Sequence, residues 1–328
     1  MIRGLLEGLG ALRRSWGLVV LLWAANVLLA AILAVPFVGV MEAELEERGA
    51  GRTMMYGFDY DFWSEWSERQ SGWTKGFGPD LFGKGLLAKN LDLALRGELP
   101  ARAFVSPEAR SERGTDAVIL ALGLAYMLLH AFLSGGVLGV LRSAQGHWKV
   151  RSLLHGSGFY FGRMVRLGGL ALIAAWIVFQ LYAPVARWIE GQARESVSGG
   201  TAHVFLLARY GGLLGALMLA HMVASYAKVI LVIEERSSAL LAYASSLSFC
   251  VMHPIRTLGH TLLVLLGAIA LFGVWNLLDT SWVTTGYKTQ LGAAALGQFL
   301  VLGVIGLRLA WLGGQLAIYR DAGARSQD

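Results

Sequence analysis

The feature that most constrains this chain is uninterrupted apolar length. Six stretches, roughly 16–40, 117–141, 167–189, 205–232, 257–278 and 291–317, are apolar almost throughout and hold no acidic residue. A helix of about 20 apolar residues crosses the roughly 30 Å hydrocarbon core of a bilayer. In lipid a helix also satisfies its own backbone hydrogen bonds. Only 15% of the 328 residues are charged and the mean hydropathy is +0.55. Soluble domains average about 25% charged residues, so this chain lacks the charge to coat a water-facing surface. A multi-span, all-α membrane protein is the expected class. The first stretch is too long for the roughly 7–15-residue core of a signal peptide and ends without a small-x-small cleavage site, so it is expected to be retained. One cysteine, Cys250, excludes an internal disulfide framework.

The net charge of +6 invites a nucleic-acid reading, but the position of the charges points to topology instead. The connection 142–166 carries Arg142, Lys149, Arg151, Arg163 and Arg166 and no acid, and the N-terminal stretch has Arg3, Arg13 and Arg14 against Glu7. The connections 190–204 and 279–290 together hold one Arg, one Lys and three acids. Short loops rich in Lys and Arg stay cytoplasmic. Both termini are therefore expected in the cytoplasm of a bacterial inner membrane. The longer segment 41–116, with 10 basic and 14 acidic residues, is expected outside.

Two stretches share a register. "HAFLSGGVLGVLR" from His130 and "RLAWLGGQLAIYR" from Arg308 each place Gly-Gly five and six residues after a basic residue, and an Arg twelve after it. "HMVASYAKVILVI" from His221 aligns with the first on a shared Ser at an offset of 91 residues. The odd-numbered spans recur too, as Arg14-Ser-Trp-Gly17, Arg166-Leu-Gly-Gly169 and Arg256-Thr-Leu-Gly259. Each follows a stretch with helical apolar spacing: Ile2, Leu5, Leu6, Leu9 and Leu12; the rougher segment 152–166; and Leu240, Ala244, Leu247 and Val251. The chain thus parses as three pseudo-repeated hairpins, each preceded by an amphipathic helix suited to the headgroup plane. By domain this gives an interfacial helix and first span over 1–40, an outer loop or helical cap over 41–116, five further spans over 117–320, and a cytoplasmic tail over 321–328. The competing account is chance similarity among segments built from Leu, Ala, Gly and Val.

Twelve helical residues rise about 18 Å, so an interfacial Arg142 or Arg320 leaves His130 or Arg308 near mid-membrane. His221 has Lys228 seven positions on, about 10 Å, which places it shallower. Ionisable residues at depth are costly and mark function by default. His130, His221 and Arg308 form the expected buried basic locus for an anion or lipid headgroup. Arg14, Arg166, Arg256, Arg142 and Arg320 form an expected cytoplasmic headgroup ring. The plainer account keeps both histidines neutral and bonded to facing helices, with Arg308 bent toward water along its stem. Helix-end carbonyls, Gln298, Gln180 and Asn276 are its candidate partners. A proton relay lacks an Asp or Glu at that depth. Gly135-xxx-Gly139 and Gly211-xxx-Gly215 read as close-packing faces, and Pro184 and Pro254 as kinks or helix ends.

The outer segment interleaves Asp59, Asp61 and Glu65 with Trp63 and Trp66. Paired carboxylates beside aromatics admit a carbohydrate hydrolase, though aromatics at headgroup level are the commoner cause. Residues 81–97 read as a further short amphipathic helix. His147 and His155, beside Lys149 and Arg151, belong to a basic face attractive to anionic lipid. No P-loop, dinucleotide-type glycine loop, Cys/His metal spacing or H-E-x-x-H is present. No metal, cofactor or nucleic acid is expected.

The segments "SLLHGSGFYFGRMVRLGGLAL", 152–172, and "SYAKVILVIEERSSALLAYASSLSFCVMHPIRTLGHTLLVLL", 225–266, resemble bacterial six-span integral membrane families. Among these is the membrane domain that accompanies some glycerophosphodiester phosphodiesterases. The resemblance spans roughly 120–320 and rests on hydropathy, loop length and Phe161, Arg166, Glu235 and Arg256. It implies a membrane module without catalysis, since in those enzymes catalysis belongs to a separate soluble domain that has no counterpart in this sequence. The expected function is lipid binding or organisation, or an accessory subunit beside a membrane protein partner. The alternatives are a small permease for an anionic or amphipathic solute, and a hydrolase using the outer carboxylates.

Overall fold

A computed structural model describes residues 2–48, 60–69, 117–143, 149–196, 198–281 and 287–325. Every regular element among them is an α-helix: α1 Ile2–Arg14, α2 Trp16–Arg48, α3 Tyr60–Arg69, α4 Ala117–Arg142, α5 Val150–Glu195, α6 Gly199–Ile233, α7 Ala239–Met252, α8 Pro254–Ser281 and α9 Tyr287–Arg325. The stretch 81–97 lies outside the described residues. Among the described residues, five segments are long and apolar enough to cross a membrane: Gly123–Arg142, Val150–Glu195, Gly199–Ile233, Pro254–Leu278 and Leu291–Gly323. A sixth follows if the bent pair Gly4–Arg14 and Trp16–Ile32 counts as one span. Outward-facing leucines such as Leu181 (73% exposed) and Leu207 (74%) would each forfeit about 1.5–3 kcal/mol of burial energy in water. Surrounded by acyl chains they forfeit nothing, and this is a multi-pass membrane protein.

Where helices break, a local cause is visible. α1 and α2 diverge by 75° at Ser15, whose amide is shared between the carbonyls of Ala11 and Leu12 (both 3.0 Å). α7 starts on Ser238, whose hydroxyl accepts from the Leu241 amide at 3.3 Å, an ordinary N-cap. It stops at His253 because Pro254 cannot donate a backbone hydrogen bond, and Pro254 opens α8. No such break separates 152–166 from the span that follows: α5 runs unbroken for 46 residues, through Pro184. At 1.5 Å per residue that is about 69 Å, more than twice the hydrocarbon thickness, so a long stretch of α5 lies outside the lipid core. Gly156, Ser157, Gly158 and Gly162 lie in this stretch, and the helix continues through all of them.

The chain divides into two compact units, Met1–Glu65 with Leu129–Met164 and Tyr226–Asp328, and Trp66–Leu128 with Val165–Ser225. The first has two apolar centres. Leu138, Tyr160, Met164, Val229, Leu231, Val232, Ala242 and Leu316 form one. Leu18, Val19, Val137, Val140, Leu153 and Leu309 form the other. Glycine sets the helix spacing here. An added Cβ on Gly8 would lie 2.1 Å from the Ala310 carbonyl oxygen, and one on Gly314 would lie 2.4 Å from the His260 ring and 2.8 Å from the Gly4 carbonyl oxygen. Likewise a Cβ on Gly136 would meet the Leu153 carbonyl and the Ser157 hydroxyl at 2.3 Å, while Gly135 abuts Tyr160 and Gly156. In the second unit α5 packs on α6 through Ala186 and Leu213, and Gly212 lies under the Tyr182 ring. Gly139, Gly211 and Gly215 meet nothing within 4 Å. The close-packing positions are therefore Gly135–Gly136 and Gly212, not the four-residue-spaced pairs expected from sequence.

Candidate functional site

His130 sits on α4 and Arg308 on α9, twelve residues before Arg142, which ends α4, and Arg320, which lies inside α9. The fold brings the two together: Nη1 of Arg308 donates to Nδ1 of His130 at 3.4 Å. A guanidinium can only donate, so a hydrogen bond here has Nδ1 as its acceptor. His130 is half-buried and Arg308 exposed. Lys228, on α6, lies within electrostatic range of both. His221 is exposed on α6 within the second unit.

A second polar assembly closes the basic end of the first unit, around the turn Glu234–Arg236 that links α6 to α7. Arg142 donates to the Val232 carbonyl at 2.9 Å and pairs with Glu235 at 2.7 Å. Arg163 donates to the carbonyls of Glu235 and Arg236 at 3.3 and 3.4 Å, with its guanidinium 4.9 Å from the Phe159 ring centroid. Arg236 pairs with Glu234 and donates to the Ser245 hydroxyl at 2.6 Å, and Tyr319 donates to Glu234. Arg320 donates to the Arg142 carbonyl at 2.9 Å. Glu235 holds the left-handed conformation, φ 52°, uncommon for a residue with a Cβ. Arg142 at the end of α4 and Arg320 in the last turns of α9 thus bind helix carbonyls, while Arg14 and Arg166 are exposed and Arg256 is half-buried. The adjacent acids Glu234 and Glu235, in an otherwise basic set of short loops, were the available sequence signal for this turn.

The second unit buries one further charge. Arg209 on α6 is 5% exposed and pairs with Glu190 of α5 at 3.4 Å, and Glu190 also holds Arg194 at 2.6 Å. Tyr182 donates to the Arg209 carbonyl at 2.8 Å. Every carboxylate oxygen of Glu190 is engaged, so this cluster has the form of a structural ion pair. Of the outer carboxylates, Asp61 and Glu65 are exposed on α3 opposite buried Phe62 and Trp66, and Asp59 lies outside the described residues. Gln298 accepts from the Trp23 indole at 2.8 Å. Among the described residues no three His, Cys, Asp or Glu side chains gather as metal ligands.

Chemically, the His130–Arg308 pair offers guanidinium and imidazole N–H groups, which are donors to an acceptor of negative charge. No family model, curated protein or solved structure matches the chain.

Proposed function

We propose that this chain is a non-catalytic, multi-pass protein of the bacterial inner membrane that binds and organises anionic lipid, alone or as the accessory subunit of a membrane complex. The observation that carries the reading is the 3.4 Å meeting of Arg308 with His130, which joins equivalent positions of two hairpins at about 18 Å from their basic helix ends. Such a pair in a hydrocarbon core is costly unless water, a partner or an anion attends it, and lipid phosphate is the anion available there.

The packing supports a threefold hairpin plan. Gly135–Gly136 of the first hairpin bed the 150s segment of α5, and Gly313–Gly314 of the third bed α1 through Gly4 and Gly8. The matching residue of the middle copy, Tyr226, stacks on Phe249 of α7 with ring centroids 5.4 Å apart. On this plan each hairpin's second helix seats the amphipathic helix of the copy that follows, the last seating the first. The seated helices keep apolar residues exposed, among them Leu6, Leu154 and Leu247, as helices lying in the headgroup plane do. The Lys/Arg bias of the short loops puts this face and both termini in the cytoplasm.

The test is lipid retention. Protein purified gently from mixed bilayers and measured by native mass spectrometry is expected to carry phosphatidylglycerol beyond that lipid's share of the membrane, and Arg308→Leu to carry less. Retention matching bulk composition would refute the lipid reading. A permease for an anionic solute is the second reading, favoured by an exposed Arg308 at such depth, since repeat-built transporters place sites near the midplane. Under it Arg308→Leu abolishes uptake, whereas a lipid-organising protein has no uptake to lose.

A further inference from the structure

We infer that α7 rests its outer face on the acyl chains of the adjoining leaflet and responds to how loosely those lipids are packed, not to their charge. The inference rests on one part of the reading above, the placement of the seated helices at the headgroup plane, and needs no anionic lipid.

The polarity of α7 is inverted relative to a helix that faces water, which turns its polar side outward. Leu240, Leu241, Leu247, Val251 and Met252 are exposed, the last two by 70% and 71%. Ser248 is the one polar residue among the exposed positions of this helix. The other serines turn inward: Ser246 is buried, and Ser245 accepts from Arg236 at 2.6 Å. The outer stripe does not end with the helix. Ile255, just past Pro254, is exposed, and Leu262, Leu266 and Ile269 carry the stripe along α8 at spacings that keep one helical face. That helix is long and apolar enough to cross a membrane, so one apolar surface runs from α7 onto a face that acyl chains cover. At 14 residues α7 is about 21 Å long, too short to cross the core itself, and it belongs to one leaflet.

Charge separates α7 from the other two seated helices. An in-plane helix binds through its apolar area and through attraction of its cations to anionic lipid. α1 has Arg13 and Arg14 exposed in its last turn, and the start of α5 has Arg151 exposed. Residues 239–252 contain no Asp, Glu, Lys, Arg or His. Only the apolar contribution is left to α7, and that contribution depends on room. Where lipids are loosely packed, apolar side chains fill gaps in which water meets acyl chains; in a tight leaflet they must first part the chains. A change at the outer face reaches the bundle, because the inner face of α7 is part of it. Ala242 lies in the core with Tyr160, Met164 and Leu316. The Phe249 ring stands 5.4 Å from that of Tyr226 and 4.9 Å from that of Tyr319.

The test places a polarity-sensitive bimane on Val251→Cys in a Cys250→Ser background, with the full chain reconstituted in phosphatidylcholine vesicles. Dioleoyl lipid supplies loose packing; dimyristoyl lipid, held in its fluid phase, supplies tighter packing at comparable thickness. The probe is expected to emit further to the blue and to escape aqueous iodide in dioleoyl vesicles, and to shift to the red in dimyristoyl ones. Exchanging part of the phosphatidylcholine for phosphatidylglycerol of the same chains is expected to change neither value. The double variant Leu240→Ser, Leu247→Ser, its melting temperature checked against the parent, is expected to lose the difference between the two lipids. Equal emission in both lipids, with the probe shielded, overturns the packing response and leaves α7 at the headgroup plane. A probe open to iodide in every vesicle overturns the placement as well. A response to phosphatidylglycerol overturns the independence from charge, and a double variant that keeps the parent's difference overturns the role of the outer face.

Discussion

At the scale of single residues, the glycines divide into two kinds that sequence does not distinguish. Glycine within a helix ordinarily costs about 1 kcal/mol relative to alanine, so Gly→Ala is stabilising wherever space allows. Gly168 and Gly169 have nothing within 4 Å of an added methyl, and alanine there is expected to leave the melting temperature unchanged or slightly raised. At Gly8 the methyl would stand 2.1 Å from a backbone oxygen of α9 and 3.0 Å from the Gly314 amide. Backbone cannot swing aside as a side-chain tip does, so α1 must shift. Overpacking of this kind costs about 1–3 kcal/mol, which outweighs the propensity gain. Gly8→Ala is therefore expected to lower the melting temperature, read by tryptophan fluorescence in detergent. Cys250, on α7, gives a second residue-scale outcome. Burial, partly offset by a hydrogen bond with Ser246, pushes its thiol up to about 11 from an ordinary 9.0. The thiolate is the reactive form, so maleimide labelling near pH 8 is expected to run about a hundredfold below that of an exposed cysteine, rising tenfold per pH unit toward 11. The sign of the linkage follows. The folded state favours the neutral thiol, so the contribution to stability is full below 9.0 and is lost as pH rises through about 11. Rapid labelling at neutral pH would show that α7 detaches from the bundle.

At the scale of elements, α7 is the piece with least covalent reason to stay in place. It has 14 residues, close to the length at which isolated helices are marginal in water, and it sits between a turn and a proline. Packing of Ala239, Ala242, Ser246 and Cys250 holds one face. The Glu234–Arg236 turn holds its start, through Arg163 on two carbonyls and Arg236 on Ser245. The Arg142–Glu235 pair, with side chains 38% and 59% exposed, contributes at most about 1 kcal/mol; the carbonyl contacts matter more because they fix a turn with a left-handed residue. Arg163→Ala is expected to speed amide exchange across 234–241 while leaving α6 protected. Ser238→Ala, which removes an N-cap worth about 1 kcal/mol, is expected to do so for the first turn of α7 alone. Uniform exchange across the bundle in either variant would mean that the turn is no separate unit. Element boundaries were readable where chemistry marks them. Pro254 and the apolar spacing 240–251 placed α7 and α8 from sequence. The unbroken α5 was not readable as one helix, because glycines at 156, 158 and 162 and the change from an amphipathic to a fully apolar pattern resemble a boundary that the helix in fact runs through.

At the scale of the whole molecule, the spanning segments were legible because the bilayer imposes one length on all of them. The meeting of His130 with Arg308 was foreshadowed by the register the two share in the sequence. The Glu234–Arg236 turn drew no notice beyond Glu235 because its ligands come from four separated stretches. Topology is where one measurement constrains most of these readings together. α6 runs 35 residues from Gly199 to Ile233, about 52 Å, with exposed Ser198 before it and exposed Ser237 after it. The first lies beside the acidic side of the loop tally and the second beside the basic side, so their compartments must differ if the charge bias sets orientation. In a Cys250→Ser background, Ser198→Cys is expected to react with a membrane-impermeant maleimide added to intact inverted-free spheroplasts, and Ser237→Cys only after the membrane is opened. Labelling of Ser237→Cys alone would reverse the orientation and place the Arg142–Glu235 assembly outside, away from the cytoplasmic leaflet. Labelling of both would mean that α6 does not cross.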